Sequence, residues 1–328
     1  MSFSGTAYLE IPANEKFRKL VFDGINLYGT NFGASRNNSD TPDIFEKAEA
    51  EAAKRSGAED AIVVSSGYLA AQLVVQYYLD GHKLIYAPDT HPALWIGKPN
   101  PPKEKFNEWI VKTVREVNNT DEPVFLITNS LNNLVPEIYK FDWLNQLRTE
   151  KKVTVLIDDS HGLGITGDNG EGIYSRLPEL PHVEVIVIAS MAKGLGIDAG
   201  LVLSKRKIAD KLRSSPVYAG ASPPSPANLY AYLNADEIYA EELEKLKFNI
   251  KFFNSLIDGR PGVTYVDDFP VYLIHESLPS GHLLANGIKI SSFAYPDPKG
   301  KALNRVVLNS GHTEEDMKKL AMTLFENE

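Results

Sequence analysis

Short unbroken runs of aliphatic residues alternate with amphipathic stretches along most of this 328-residue chain. Residues 61–64, 83–87, 124–128, 153–157 and 183–189 read as buried strands, because a strand covered on both faces loses the in–out alternation of a half-exposed sheet. Residues 200–203 follow closely enough to predict a hairpin-like return. Helical spacing predicts a helix over 14–27, with Phe17, Leu20, Val21 and Ile25 on one side, and another from about Pro42, with Phe45, Ala48, Ala52 and Ala53 together. Residues 69–79 and 143–148 read as further helices, and helices dominate from 226 to 257. The tail carries short apolar runs at 263–266, 271–274 and 305–308 and a last helix opened by Thr313.

Strands alternating with helices predict an α/β fold, with a mostly parallel central sheet, helices on both faces and a small α+β C-terminal domain. The pattern divides the chain into an N-terminal segment (1–40), a large domain (41–225) and a small one (226–328). Apolar residues at 43% and charged ones at 23% are ordinary for a globular protein. A net charge of −9 without a basic run argues against nucleic-acid or membrane-surface partners, which need positive patches. The absence of cysteine removes disulfides, thiolate nucleophiles and cysteine-based metal sites. The first ten residues have neither the basic region nor the apolar core of a secretion signal, so a cytoplasmic location is expected.

Polar groups gather where the strands end. The run 153–157 delivers Asp158-Asp159-Ser160-His161 and then glycines at 162, 164, 167, 170 and 172. The first strand runs into Ser65-Ser66-Gly67-Tyr68, and others reach His91, the segment from Asn129 to Asn133, and Ser190 with Lys193. In open α/β sheets, ligands bind beyond the carboxyl ends of the strands. Gly162, Gly164 and Gly167 match the dinucleotide spacing, but Pro178 and Pro181 break the interval where its crossover helix belongs. A metal at Asp158, Asp159 and His161 lacks a second histidine at ligand spacing. No G-x-S-x-G elbow supports a serine hydrolase.

Pyridoxal 5'-phosphate accounts for the whole set, since it needs a lysine for its Schiff base, an acid for its ring nitrogen and an anion cup for its phosphate. Lys193, Asp158 and Ser65-Ser66-Gly67-Tyr68 stand in those positions, although Ser66 can equally serve as a plain helix cap. A lysine closing an apolar strand is desolvated, which favours the nucleophilic neutral amine. Asp159, one residue beyond Asp158, is expected to point to the opposite side.

The order and spacing of Asp158-Asp159-Ser160-His161, Gly167 to Gly172, Ser190-Met-Ala-Lys193 and Asn309-Ser-Gly-His312-Thr resemble the α-oxoamine synthases, a branch of the fold-type-I pyridoxal-phosphate enzymes. The similarity runs from about Ala7-Tyr8-Leu9 to the last helix. It implies that Lys193 carries the cofactor, Asp158 partners its nitrogen, His161 donates to its phenolic oxygen and His91 stacks on its ring. Ser190 with Gly67 and Tyr68 would meet the phosphate, Asn133 would join the cofactor contacts, and Arg305 would hold the substrate carboxylate. The implied enzyme is a homodimeric transferase that condenses an amino acid with an acyl-CoA. A class I/II aminotransferase using a keto acid and a cofactor-binding protein without turnover are the alternatives. Glu10 stands where the family usually has glycine, Leu303 where a second arginine is common, Asn129 for a glutamate and Asn133 for a serine.

Overall fold

Asn14 supplies the first helix boundary, its side chain accepting a hydrogen bond from the Phe17 amide at 3.1 Å. In the computed structural model, which describes residues 1–276, 278, 280–295 and 299–325, β1 (Ser2–Phe3) precedes α1 (Glu15–Tyr28) and α2 (Ile44–Ser56). A strand–helix series follows: β2 (Asp60–Val64), α3 (Gly67–Tyr78), β3 (Lys83–Tyr86), α4 (Phe106–Asn119) and β4 (Val124–Asn129). The small pair β5 (Leu131–Asn132) and β6 (Glu137–Ile138) comes before β7 (Val153–Asp158), β8 (Val183–Ser190) and β9 (Gly200–Ser204). Helices α5 (Arg206–Arg213), α6 (Pro216–Gly220), α7 (Pro226–Leu233) and α8 (Asp236–Ile257) lead to β10 (Val263–Thr264) and β11 (Val271–Ile274). The chain then forms α9 (Ser280–Ala285), β12 (Lys289–Ala294), β13 (Ala302–Val307) and α10 (Glu314–Phe325).

The main sheet has the order β2-β9-β8-β7-β4-β3. Strands β8, β7, β4 and β3 pair in parallel, and β9 runs antiparallel to both β8 and β2, which makes it the expected return strand. Side chains alternate between two cores, as the two-residue period of a strand requires. Ile62, Val64, Leu156 and Val202 pack on the α3 face, and Ala61, Val63, Val155, Ile157 and Leu203 on the other.

A second sheet, β1-β12-β13-β11-β10, joins the beginning of the chain to its last third. Its β1–β12 pairing is parallel, with Ser2 opposite Lys289. The short strands expected at 263–266 and 305–308 occur at 263–264 and 302–307 instead. Strand β12 has no apolar alternation to announce it, its residues being partly or fully exposed. The helix expected over 143–148 is a single 3-10 turn, Asp142–Gln146, too short to show a helical stripe. Among the described residues no helix is long and apolar enough to cross a membrane.

The irregular stretch between α1 and α2 is fastened by one buried ion pair. Arg36 donates from Nη1 to Glu49 Oε1 at 2.9 Å, and the same oxygen accepts from the Val63 amide of β2 at 3.0 Å. Both side chains are only 7% exposed, so neither charge can fall back on water. Glu49→Ala is expected to cost about 3–5 kcal/mol by urea unfolding, the usual penalty for leaving a buried charge unpaired. An unchanged midpoint would show that the guanidinium escapes to solvent.

Candidate active site

Strand β7 ends between its parallel neighbours with Asp158 in register with Asn129 of β4 and Ile188 of β8. The Asp158 carboxylate accepts from the Ser160 amide at 2.9 Å, and Ser160 Oγ accepts from the Ser190 amide at 2.9 Å. The ends of β7 and β8 are thus laced together through Ser160.

A cavity of about 220 Å³ opens at this edge and brings together Asp158, His161, Lys193, His91, Asn133 and Arg305. Lys193 Nζ lies 3.0 Å from His161 Nε2, and Tyr8 Oη lies 2.8 Å from His161 Nδ1. Burial holds the Lys193 ammonium below its usual proton affinity against the opposing pull of Asp158. It holds His161 well below the ordinary histidine range, with Lys193 and Arg305 adding to the effect. His91 shifts the same way through desolvation, and its Nδ1 accepts from the Ala93 amide at 3.1 Å. The outcome is an amine of lowered basicity and neutral imidazoles in a cavity that the carboxylates of Asp158 and Asp89 also line.

Arg305 of β13 reaches this cavity from the second sheet. Its Nη1 donates to the Asn133 carbonyl at 2.6 Å, and the guanidinium carbon sits 4.9 Å from the centre of the Phe293 ring. Arg305 Nε and the Tyr295 hydroxyl are both buried without a hydrogen-bond partner among the described residues. Burial, with Asp158 adding to it, pushes the Tyr295 phenol up to about 12, so it remains a donor. Two unused donors at a cavity wall leave a place for ligand oxygens.

Ser66, Gly67, Tyr68 and Ser190 fall outside that cavity lining. Ser66 caps α3, accepting from the Leu69 amide at 3.1 Å, and the Tyr68 side chain is 65% exposed. Gly67 abuts Ser190 so closely that an added Cβ would lie 2.7 Å from the serine's own. The cap and the Ser190 contact form a second cluster, tied to the first through Ser160.

Asp159 is only 2% exposed and lies away from the cavity. Its Oδ2 accepts from the Ile173 amide at 2.8 Å. A side chain at Gly162 or Gly172 would strike its carboxylate, at 2.1 and 2.4 Å respectively. The glycine-rich loop is therefore wrapped around Asp159.

Pattern gave no role to Tyr8, Asp89, Phe293 and Tyr295, and marked Asn132 only as part of the polar strand end 129–133. Asp89 adopts a left-handed φ of 55° at the cavity wall, and its carboxylate accepts from Asn132 Nδ2 at 3.0 Å. The Pro-Asp-Thr turn after β3 is the signal that could have flagged it. No comparable turn signal marks Tyr8, whose hydroxyl partner His161 lies 153 residues away.

The family model for aminotransferase class I and II matches residues 107–324. An 8-amino-7-oxononanoate synthase from Petrotoga mobilis is 28% identical over 97% of this chain and 86% of its own length. A variant serine palmitoyltransferase from S. paucimobilis, solved with a bound PLP–myriocin aldimine, superposes with a TM-score of 0.83 at 17% identity, covering 99% of this chain and 86% of that one. An 8-amino-7-oxononanoate synthase from Francisella tularensis superposes with a TM-score of 0.73 at 22% identity, covering 99% and 96%.

Burial raises the Asp159 carboxyl from an ordinary 3.8 to about 6. A raised carboxyl pKa means the folded state holds its proton longer, so the stability it allows is full below pH 3.8 and declines as pH rises toward 6. Asp159→Asn keeps an acceptor for Ile173 and cannot ionise. Urea unfolding across this range should show the variant gaining about 3 kcal/mol relative to wild type by pH 6. Parallel curves would mean that the buried carboxylate ionises freely.

Proposed function

Because the chain belongs to the aminotransferase class I and II family, we propose that it is a pyridoxal-phosphate-dependent transferase condensing an amino acid with an acyl-CoA, in the manner of the α-oxoamine synthases. The names of its relatives support the reaction class. The observation that carries the reading is Lys193 Nζ, 3.0 Å from His161 Nε2 in a cavity that Asp158 also lines.

The donor set fits the cofactor. A desolvated amine, a carboxylate for a protonated ring nitrogen, a neutral imidazole and two unpartnered buried donors match its aldehyde, pyridinium and oxygen atoms. The α3 amino end, held against Ser190 by the absence of a side chain at Gly67, supplies free N–H groups for a phosphate. In this reading His91, Asn133, Ser66 and Tyr68 complete the surroundings. When bound, pyridoxal phosphate supplies an electron sink for the bond broken at the substrate α-carbon.

The chain's own residues do the rest. Lys193 Nζ, whose hold on a proton burial weakens, can accept a proton from the α-carbon and return it. Asp158 presents its carboxyl group on the cavity lining. His161 stays neutral and donates from one ring nitrogen. Arg305 offers its free Nε edge to a substrate carboxylate, with Phe293 holding the guanidinium plane. The Tyr295 hydroxyl stands ready as a further donor to that carboxylate, where Leu303 supplies none.

We read residues 1–40, 41–225 and 226–328 as segment, large domain and small domain. The separate sheets support the last two, and β1 ties the segment to the second sheet. A homodimer in the cytoplasm completes the proposal. Exposed Phe22, Leu27 and Tyr68, at 66, 64 and 65%, offer apolar surface for a second copy.

Pyridoxal phosphate added to the purified protein should produce a visible absorption band, absent in Lys193→Ala. With an amino acid and a panel of acyl-CoAs, the loaded protein should release free thiol only when both are present. A missing band overturns the cofactor. Keto acid formed with a keto-acid acceptor, without thiol release, replaces the synthase by an aminotransferase, and neither product leaves a binding protein.

A further inference from the structure

Asp89 brings to the cavity a charge that the fold itself does not use. Its φ of 55° is one that glycine adopts without strain and asparagine tolerates equally well. Among the described residues its carboxylate makes no hydrogen bond to its own turn. The turn alone therefore gives no reason for an acid.

Two asparagines fix this residue in place. Asn129 Nδ2 of β4 donates to the Asp89 carbonyl at 2.8 Å. Asn132 of β5, only 6% exposed, accepts on Oδ1 from the Leu134 and Val135 amides at 2.9 and 3.1 Å, which turns its Nδ2 toward Asp89 Oδ2 at 3.0 Å. Asp89 Oδ1 is left without a partner among the described residues, and no cation there bears on the carboxylate.

The next residue along holds the opposite charge. The Asn133 carbonyl accepts from Arg305 Nη1 at 2.6 Å, so consecutive residues, with Cα atoms about 3.8 Å apart, hold a carboxylate and a guanidinium on one cavity. No ion pair joins the two among the described residues, and Arg305 Nε is buried without a partner. Opposite charges that line one cavity of about 220 Å³ without meeting suit a small molecule carrying both signs.

On the transferase reading above, the other charged groups are engaged. The substrate α-nitrogen goes to the group carried on Lys193, Asp158 serves the cofactor ring nitrogen, and Arg305 takes the substrate carboxylate. What remains of an amino acid to meet Asp89 is its side chain. An ammonium there satisfies the free oxygen, whereas an alkyl chain strips water from a carboxylate and returns nothing.

We propose that Asp89 is a specificity residue of the transferase, an assignment that rests on that reading: its free Oδ1 receives the side-chain ammonium of the amino-acid substrate, so that a short diamino acid is selected over neutral amino acids of the same length.

The test titrates protein loaded with pyridoxal phosphate with 2,4-diaminobutyrate and its neutral isosteres norvaline and homoserine, following the visible band. Ornithine and norleucine repeat the comparison one methylene longer. At one of these lengths the diamino acid should bind wild type about tenfold more tightly than its isostere, the scale of one charge-assisted hydrogen bond. Asp89→Asn keeps an acceptor for Asn132 and tolerates the left-handed backbone, and should bring the ratio to about one. Thermal unfolding checks that variant's fold, and the wild-type ratio decides the case if it does not fold.

A wild-type ratio near one at both lengths, homoserine binding as tightly as 2,4-diaminobutyrate, or an unchanged preference in Asp89→Asn overturns the assignment. Calorimetry on cofactor-free protein separates this from the cofactor reading. If added pyridoxal phosphate gives no visible band but calorimetry still shows a diamino preference that Asp89→Asn removes, the cofactor reading falls and the ammonium site at Asp89 stands. A visible band without the preference does the reverse.

Discussion

A strand that is apolar on both faces must stop being apolar somewhere, and β7 does so with two carboxylates in succession. The two-residue period sends them to opposite sides. Asp158 continues the Leu156 side and reaches the cavity edge, whereas Asp159 is buried and anchors the loop beyond. One side chain provides charge for chemistry, and the other gives the glycine-rich loop a post to wrap. Neither role survives a shift of register by one residue, because each carboxylate would then enter the other's surroundings.

The rest of the site is fastened to this point. Ser160 joins β7 to β8 and sets the path toward Lys193. Asn129, in register with Asp158, donates to the Asp89 carbonyl at 2.8 Å and accepts from the His91 amide at 3.3 Å. Arg305 arrives from the second sheet and is held by the Asn133 carbonyl. The cavity therefore belongs to both sheets, and its electrostatic character comes from desolvation acting on groups that different segments deliver.

The main sheet was legible because burial on both faces leaves unmistakable aliphatic runs, and the residues ending those runs could be located with equal ease. Asp158, His161 and Lys193 stood out for that reason, and the structure gathers them around one cavity. Strand β12, bearing Phe293, escaped notice because its exposed residues carry no apolar rhythm. The Ser66 to Tyr68 turn was visible, but whether a serine caps a helix or meets an anion depends on what faces it, and in the free chain the cap is made. Tyr8 was illegible as chemistry, because its partner lies 153 residues away and no local pattern encodes such a pairing.

The pairing of Ser2 with Lys289 has a bearing on how the molecule comes into being. A ribosome releases β1 long before its partner strand, so residues 2–3 must wait unpaired while the main sheet assembles behind them. Contacts of such sequence separation form late and slowly. Tyr8 belongs to that waiting segment, since the Ser310 amide that holds its carbonyl is made later still. Completion of the site thus follows the making of the main sheet, and a partly translated chain can own a finished sheet without a finished cavity.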